Sequence, residues 1–282
     1  MQPILAVPGS GPDPHARWEV PTVHYHAIDT LWLACGDART MIARHEQLGL
    51  TLDKGEDGCA GVLRVGGSHV LFCRDSPSYV MDEAFRRAIA DGRPAYAVGL
   101  RIEDPSFLAN LLARNVLVHE MEQGVYFVPV ARDAGTNLVL DFRPPRVESA
   151  PEHRFPLLRM DHLAAVTPDL MKASTYWEET LGLAITGKLA TANLLIRQIR
   201  LEDVVLELLA PNSADSPIHQ RPPGLVSLVS WEVADVDAAA EQARAAGFSP
   251  SSPAPGPLPG SRISTIQAGE LGGLTMQLLE WL

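Results

Sequence analysis

The sequence predicts an α+β chain of four strand–helix–strand–strand–strand (βαβββ) units, two in each half. Three observations carry this. First, "IDTLWLACGDARTMIARHEQLGL" (28–50) returns as "MDHLAAVTPDLMKASTYWEETLGL" (160–183). Both open on Ile/Met-Asp-X-Leu, carry an Asp at 37 or 169, and close on Leu-Gly-Leu, with one residue more in the second copy. Second, "AYAVGLRIEDPSFLANLLARNV" (95–116) and "SLVSWEVADVDAAAEQARAAGF" (227–248) share the plan more weakly: an apolar strand, an acidic or proline turn, and a helix ending near Gly or Asn. Third, the polar, proline-rich stretch "RPPRVESAPEHRFP" (143–156) separates the halves, as such compositions do between domains.

The elements follow in order. In the third unit Thr167 can cap a helix, Pro168 suits its first turn, and Leu170, Ala173, Trp177 and Leu181 recur at helical spacing until Gly182 stops it. In the second unit Asp104-Pro105 opens a helix carrying Phe107, Leu108, Leu111 and Leu112. In the fourth, Asp235 precedes Val236, Ala239, Ala240 and Ala243. Strand-like material follows each helix. "NLLIRQIRLEDVVLELLAP" alternates around a turn at Glu202-Asp203, and "GVLRVGGSHVLFCRD" around Gly66-Gly67. The expected division is a tail at 1–22, an N-terminal domain at 23–142, a linker at 143–158 and a C-terminal domain at 159–282.

Composition narrows the class. The chain has 282 residues, 46% hydrophobic and 20% charged, with a net charge of −11 and a pI near 5.2. With no Lys/Arg cluster, nucleic acid and anionic membrane surfaces are excluded as partners. The tail lacks a basic start and apolar core, so it does not read as a signal peptide. No apolar run reaches the roughly 18–20 residues that span a bilayer. Cys35, Cys59 and Cys73 show no CxxC spacing, which leads to an expectation of reduced thiols and a cytoplasmic location. A small molecule is the expected partner, and a homodimer is compatible.

On the repeated segment and the strand "VVLELLAP", the chain resembles the vicinal oxygen chelate superfamily: glyoxalases, bleomycin resistance proteins, extradiol dioxygenases and methylmalonyl-CoA epimerase. The resemblance covers nearly everything beyond the tail. It implies that two units curve together into a cup, with helices outside and ligands on the inner face. It implies a first-strand His at His162 and a last-strand Glu at Glu207. The partner-unit positions fall on Leu228 and Gln277. In the first half the four positions fall on Thr30, about Phe72, about Ala97 and about Leu140. The resemblance admits a divalent metal (Fe, Mn, Ni or Zn) on His162 and Glu207. Three or four N/O ligands are usual for such a metal, so the incomplete set favours no cofactor.

Strand alternation sends His162 to one face with Ala164 and Val166, and Glu207 with Val205 and Leu209. Ala164, Val205, Leu209, Leu228, Ser230, Thr275, Gln277 and Leu279 are therefore the expected substrate-binding walls. A His–carboxylate pair can serve as general acid or base without metal, which suits isomerase-, lyase- or cyclase-like chemistry on a small oxygenated metabolite. A drug-sequestering binding protein is the alternative, and a metal-dependent glyoxalase or ring-cleaving dioxygenase relative is another. His162 and Glu207 could also form a merely structural pair. His24 and His26 read as an exposed strand entry, His69 as a hairpin residue, and Trp32, Trp177 and Trp231 as core. Glu178-Glu179 and Arg86-Arg87 read as solvated helix faces. His119, Glu120 and Glu122 are available in the second unit but unplaced.

Overall fold

The computed structural model describes residues 26–55, 58–144 and 151–282; the expected tail at 1–22 and His24 lie outside them. The first unit comprises β1 (His26–Ala34), α1 (Ala38–Leu48), β2 (Leu52–Lys54), β3 (Cys59–Val65) and β4 (Ser68–Cys73). A connecting helix, α2 (Asp82–Ala90), precedes the second unit: β5 (Ala95–Ile102), α3 (Ser106–Ala113), β6 (His119–Glu122), β7 (Val125–Val128) and β8 (Asn137–Asp141). The third is β9 (Arg159–Val166), α4 (Leu170–Thr175), β10 (Gly187–Ala190), β11 (Leu194–Leu201) and β12 (Val204–Pro211). The fourth is β13 (Gly224–Glu232), α5 (Val236–Ala245), β14 (Ala254–Pro255), β15 (Ser261–Ile266) and β16 (Thr275–Trp281).

The strands form two curved eight-stranded mixed sheets, ordered β2-β3-β4-β1-β5-β8-β7-β6 and β10-β11-β12-β9-β13-β16-β15-β14. Within each unit the first strand runs parallel to the last, as in β1–β4 and β9–β12. The two units of a half meet antiparallel, β1 on β5 and β9 on β13. Each sheet is thus completed by two units of one half, as the repeat pattern predicts.

The repeated segment explains its own shape. Asp37 and Asp169 are the N-caps of α1 and α4, accepting from Thr40 N and Lys172 N at 3.0 Å. Cap and helix start in the third unit therefore fall two residues later than Thr167 and Pro168. Thr167 Oγ1 instead donates to the Asp133 carbonyl at 2.5 Å, stitching the halves together. Gly49 and Gly182 end the two helices at φ 103° and 79°, a left-handed geometry suited to glycine. The extra residue of the second copy is absorbed where α4 widens into a π-helical turn at Tyr176–Leu181, the usual outcome of a one-residue insertion in a helix.

One core serves both halves. Leu31, Leu33, Leu100 and Leu138 of the first sheet join Leu163, Leu206, Leu208 and Val229 of the second, with Phe155 of the linking segment buried among them. Trp177 is fully buried and donates its indole N–H to the Ala134 carbonyl at 2.6 Å. Trp231 is also buried, whereas Trp32 packs half-buried against the separate apolar cluster inside the first sheet. Cys59 and Cys73, register partners on β3 and β4, are disulfide-bonded, and Cys35 is free and buried. That corrects the expectation of three reduced thiols: strand register, not short sequence spacing, brings the pair together.

Candidate active site

The site begins with an irregularity in the first strand of each half. Between Met160 and Leu163, both in the shared core, lie two residues rather than one. The pairing of β9 with β13 slips at this point, from His162↔Ser230 to Met160↔Trp231. Such a bulge turns two successive side chains to one face. Accordingly Asp161 and His162, though neighbours, are hydrogen-bonded, Oδ1 to Nδ1 at 2.7 Å. Asp161 Oδ2 accepts the Trp281 indole N–H at 3.0 Å. The first half has the same slip between Ile28 and Thr30, and there Thr30 Oγ1 donates to Asp29 Oδ1 at 2.9 Å.

From His162 a polar row crosses the second sheet. Gln198 on β11 faces Glu207 on β12, and the Gln198 amide donates to Glu207 Oε1 at 2.8 Å. Glu207 pairs with Ala164, and Val205 with His162. On the other side His162 pairs with Ser230, which pairs with Gln277 on β16. Ser230 Oγ donates to Gln277 Oε1 at 2.9 Å. Thr275 and Leu279 alternate with Gln277, and Leu228 pairs with Thr275. Ala164, Val166, Ile196 and Leu209 form an apolar wall with Ile218, which comes from the loop 212–223. The register therefore places His162, Glu207 and the expected wall residues on one surface. It does not join His162 directly to Glu207: each is held by a different partner, Asp161 and Gln198.

The first sheet has the same register with other chemistry. At the position equivalent to the Gln198–Glu207 pair stands Val62–Leu71. Trp32 pairs with Leu71, Thr30 with Gly99, Gly99 with Val139, and Val139 with Phe127. The positions matched approximately to Phe72 and Leu140 are thus filled by Leu71 and Val139; Phe72 and Leu140 face the shared core. A Cβ on Gly99 would stand 2.6 Å from Thr30 Cβ, so this crossing requires glycine. The cup itself is filled by α2 and the turn before it: Met81, Phe85 and Ala88 pack with Tyr96, Phe127 and Val139.

The electrostatics of the two bulges diverge. At His162 burial opposes the cation, but the charge of Glu207 and the bond and charge of Asp161 outweigh it and raise the pKa above the usual 6.5. Asp161 is held below the carboxylate range, since bonds from His162 and Trp281 overcome its burial. Asp29, with a neutral threonine in place of the imidazole, is pushed by burial up to about 6 despite Thr30 and Arg101.

The donor set does not fit a tightly held transition metal. His162 Nδ1 and one Glu207 oxygen are already engaged, the other row members are neutral, and among the described residues no three His/Cys/Asp/Glu side chains gather around one point. His119, Glu120 and Glu122 lie on β6 of the first sheet, and Glu122 pairs with Arg143 at 2.7 Å. His69 sits just past the Gly66-Gly67 turn, and Arg86, Arg87, Glu178 and Glu179 are exposed.

Asp161, Gln198, Trp281 and Ile218 are the site residues that sequence reasoning missed. Asp161 was visible as the residue common to both repeat starts. Gln198 follows from folding the hairpin about Glu202-Asp203. Nothing local marks Trp281 or Ile218.

Two sheets of paired βαβββ units, one cup polar and the other plugged by its own helix, define a tandem cup protein whose polar residues gather in the second cup. Residues 161–264 match the family model of the Glyoxalase/Bleomycin resistance protein/Dioxygenase superfamily, the vicinal oxygen chelate group that the sequence resembles. Among solved structures, a xylose isomerase-like TIM barrel/4-hydroxyphenylpyruvate dioxygenase fusion protein aligns over 91% of this chain at 13% identity and a TM-score of 0.66. The chain spans 49% of that protein's length, so the likeness concerns the fold. Methylmalonyl-CoA epimerase from Mycobacterium tuberculosis aligns over 47% of this chain and 93% of its own at 20% identity and a TM-score of 0.42. A methylmalonyl-CoA epimerase in complex with methylmalonyl-CoA and NH4+ aligns over 44% and 95% at 23% identity and 0.40. No curated protein sequence matches the chain significantly. No helix among the described residues is long and apolar enough to cross a membrane.

Proposed function

We propose that the C-terminal cup is the active site of an enzyme that moves a proton on a small oxygenated metabolite, in an isomerase-, lyase- or cyclase-like reaction. The observation that carries this is the Asp161–His162 bond within a polar row that the first half lacks. Asp161 fixes the imidazole through Nδ1 and leaves Nε2 to the ligand, the arrangement of a general base or acid oriented by a carboxylate. Nε2 takes a proton from the carbon beside a substrate carbonyl. The electron pair moves onto the carbonyl oxygen, and the imidazolium returns the proton to carbon or to a leaving group. Because Ser230 donates to Gln277 Oε1, the Gln277 amide N–H groups are left for that oxygen, where a fixed donor stabilises developing charge. Glu207 favours the protonated imidazole that forms during transfer.

The reaction needs no metal in this reading, and each cup is completed by units of the same chain, so a second copy is not required to build the site. The test is solvent exchange: the full chain is incubated in D2O with a panel of aldehydes, ketones and 2-oxo acids bearing a C–H next to the carbonyl. Loss of that C–H signal by proton NMR in at least one compound supports the enzyme. Saturable binding of panel members with no exchange into any of them would favour the sequestering alternative.

A further inference from the structure

We infer that a cleft at the seam between the halves is a second small-molecule site, taking an organic anion with an apolar body. The cleft encloses about 370 Å³ between α2, the connection from β7 to β8, and the start of β13. That volume falls within the range of small-ligand pockets, roughly 300–1,000 Å³. It is separate from the His162 row, no member of which lines it; Tyr96 and Phe127 of the first sheet and Gly224 and Leu225 of the second do.

Three guanidinium groups converge on it, Arg87, Arg93 and Arg132, in a chain whose net charge is −11. Arg93 and Arg132 share a single carboxylate, Asp91. Arg87 has only an exposed pairing with Glu83 at 3.0 Å, a kind of pair worth little. Positive charge is therefore in excess at the mouth. Arg93 is also preorganised: its terminal nitrogens donate to the carbonyls of Pro222 and Pro223 at 3.0 and 3.3 Å. Its Nε is buried without a partner. Burial and the nearby Arg132 charge both disfavour the Arg93 cation, a cost that a bound anion would offset. Guanidinium forks match carboxylate or phosphate oxygens, and the solvent-reachable ends of Arg87 and Arg132 present them at the cleft. Val80, Ala84, Leu117 and Phe127 supply the apolar lining for the rest of the ligand.

The experiment titrates the full chain by calorimetry with benzoate, phenylacetate and cyclohexanecarboxylate, and with their neutral amides. At least one carboxylate should bind saturably, its amide about tenfold more weakly, and Arg132→Gln and Arg87→Gln should each weaken binding by about tenfold. Arg87 is exposed and Arg132 half-exposed, so folding is less at risk than at Arg93. His162→Ala should leave the affinity unchanged. Absence of saturable binding by all three carboxylates, equal binding of acid and amide, indifference to both arginine substitutions, or loss of binding in His162→Ala would each overturn the assignment.

Discussion

Asp29 and Asp161 occupy the same bulge in two copies of one segment, yet they titrate in opposite directions because Thr30 stands where the other copy has His162. The imidazole gives the buried carboxylate a cation; the hydroxyl gives it only a hydrogen bond. Asp29 is raised from 3.8 to about 6, so the folded state binds its proton more tightly than the unfolded chain does. Its burden on stability is absent well below pH 4, grows as pH rises through that interval, and is complete above it. Asp29→Asn should therefore raise the urea midpoint at pH 8 and leave it little changed at pH 3.5; an equal shift at both would remove titration as the cause. At His162 the shift has the same direction but another origin: Asp161 and Glu207 stabilise the cation, so its contribution is present at low pH and is lost as pH rises through the raised pKa. Histidine ring NMR should find its midpoint above 6.5, and Asp161→Asn should move it downward. A midpoint at or below 6.5 that ignores Asp161→Asn would deny the coupling. The sequence offered the His and the Glu, but their partners were less legible. Simple alternation puts Asp161 and His162 on opposite faces, and only the bulge, which sequence periodicity does not encode, turns them together.

At the level of elements, the helices and hairpins were readable because their signals are local: apolar residues at helical spacing, left-handed glycines and turns at 66–67 and 202–203; the Asp169 cap was not, since Thr167 offers the same chemistry two residues earlier. The role of α2 was not. Its residues, "DEAFRRAIA", show a short amphipathic pattern that says nothing about which surface receives its apolar face. The structure lays Phe85 and Ala88 into the first cup, which makes that half a scaffold with its cavity filled from within. Phe85→Ala should cost roughly 3 kcal/mol in a denaturation series, as removal of a buried phenyl ring does, while leaving the chemistry of the second cup intact. A cost below about 1 kcal/mol, the range of a surface substitution, would mean that α2 does not plug the cup. The disulfide between Cys59 and Cys73 was missed for a related reason: it depends on the register of β3 on β4.

On the scale of the molecule, the four-unit architecture was fully announced by the repeats, and the shared core was not. Apolar residues from both sheets and Phe155 of the linking segment form one cluster, and Trp177 and Thr167 bond to the carbonyls of Ala134 and Asp133 across the seam. The two halves should accordingly unfold together in urea, with tryptophan fluorescence and far-UV dichroism giving coincident transitions; two separated transitions would show independent halves. This rigidity places one polar cup and one filled cup in a fixed frame, and the division of labour between them is the central claim. Its most direct measurement is the rate of carbon–hydrogen exchange in D2O, on the compound that the wild-type chain labels fastest, for His162→Ala beside Thr30→Ala. The rate should fall by ~10²–10⁴-fold with the first and stay near wild type with the second. Equal rates in both variants, or equal losses, would contradict the assignment of the chemistry to His162 and its cup.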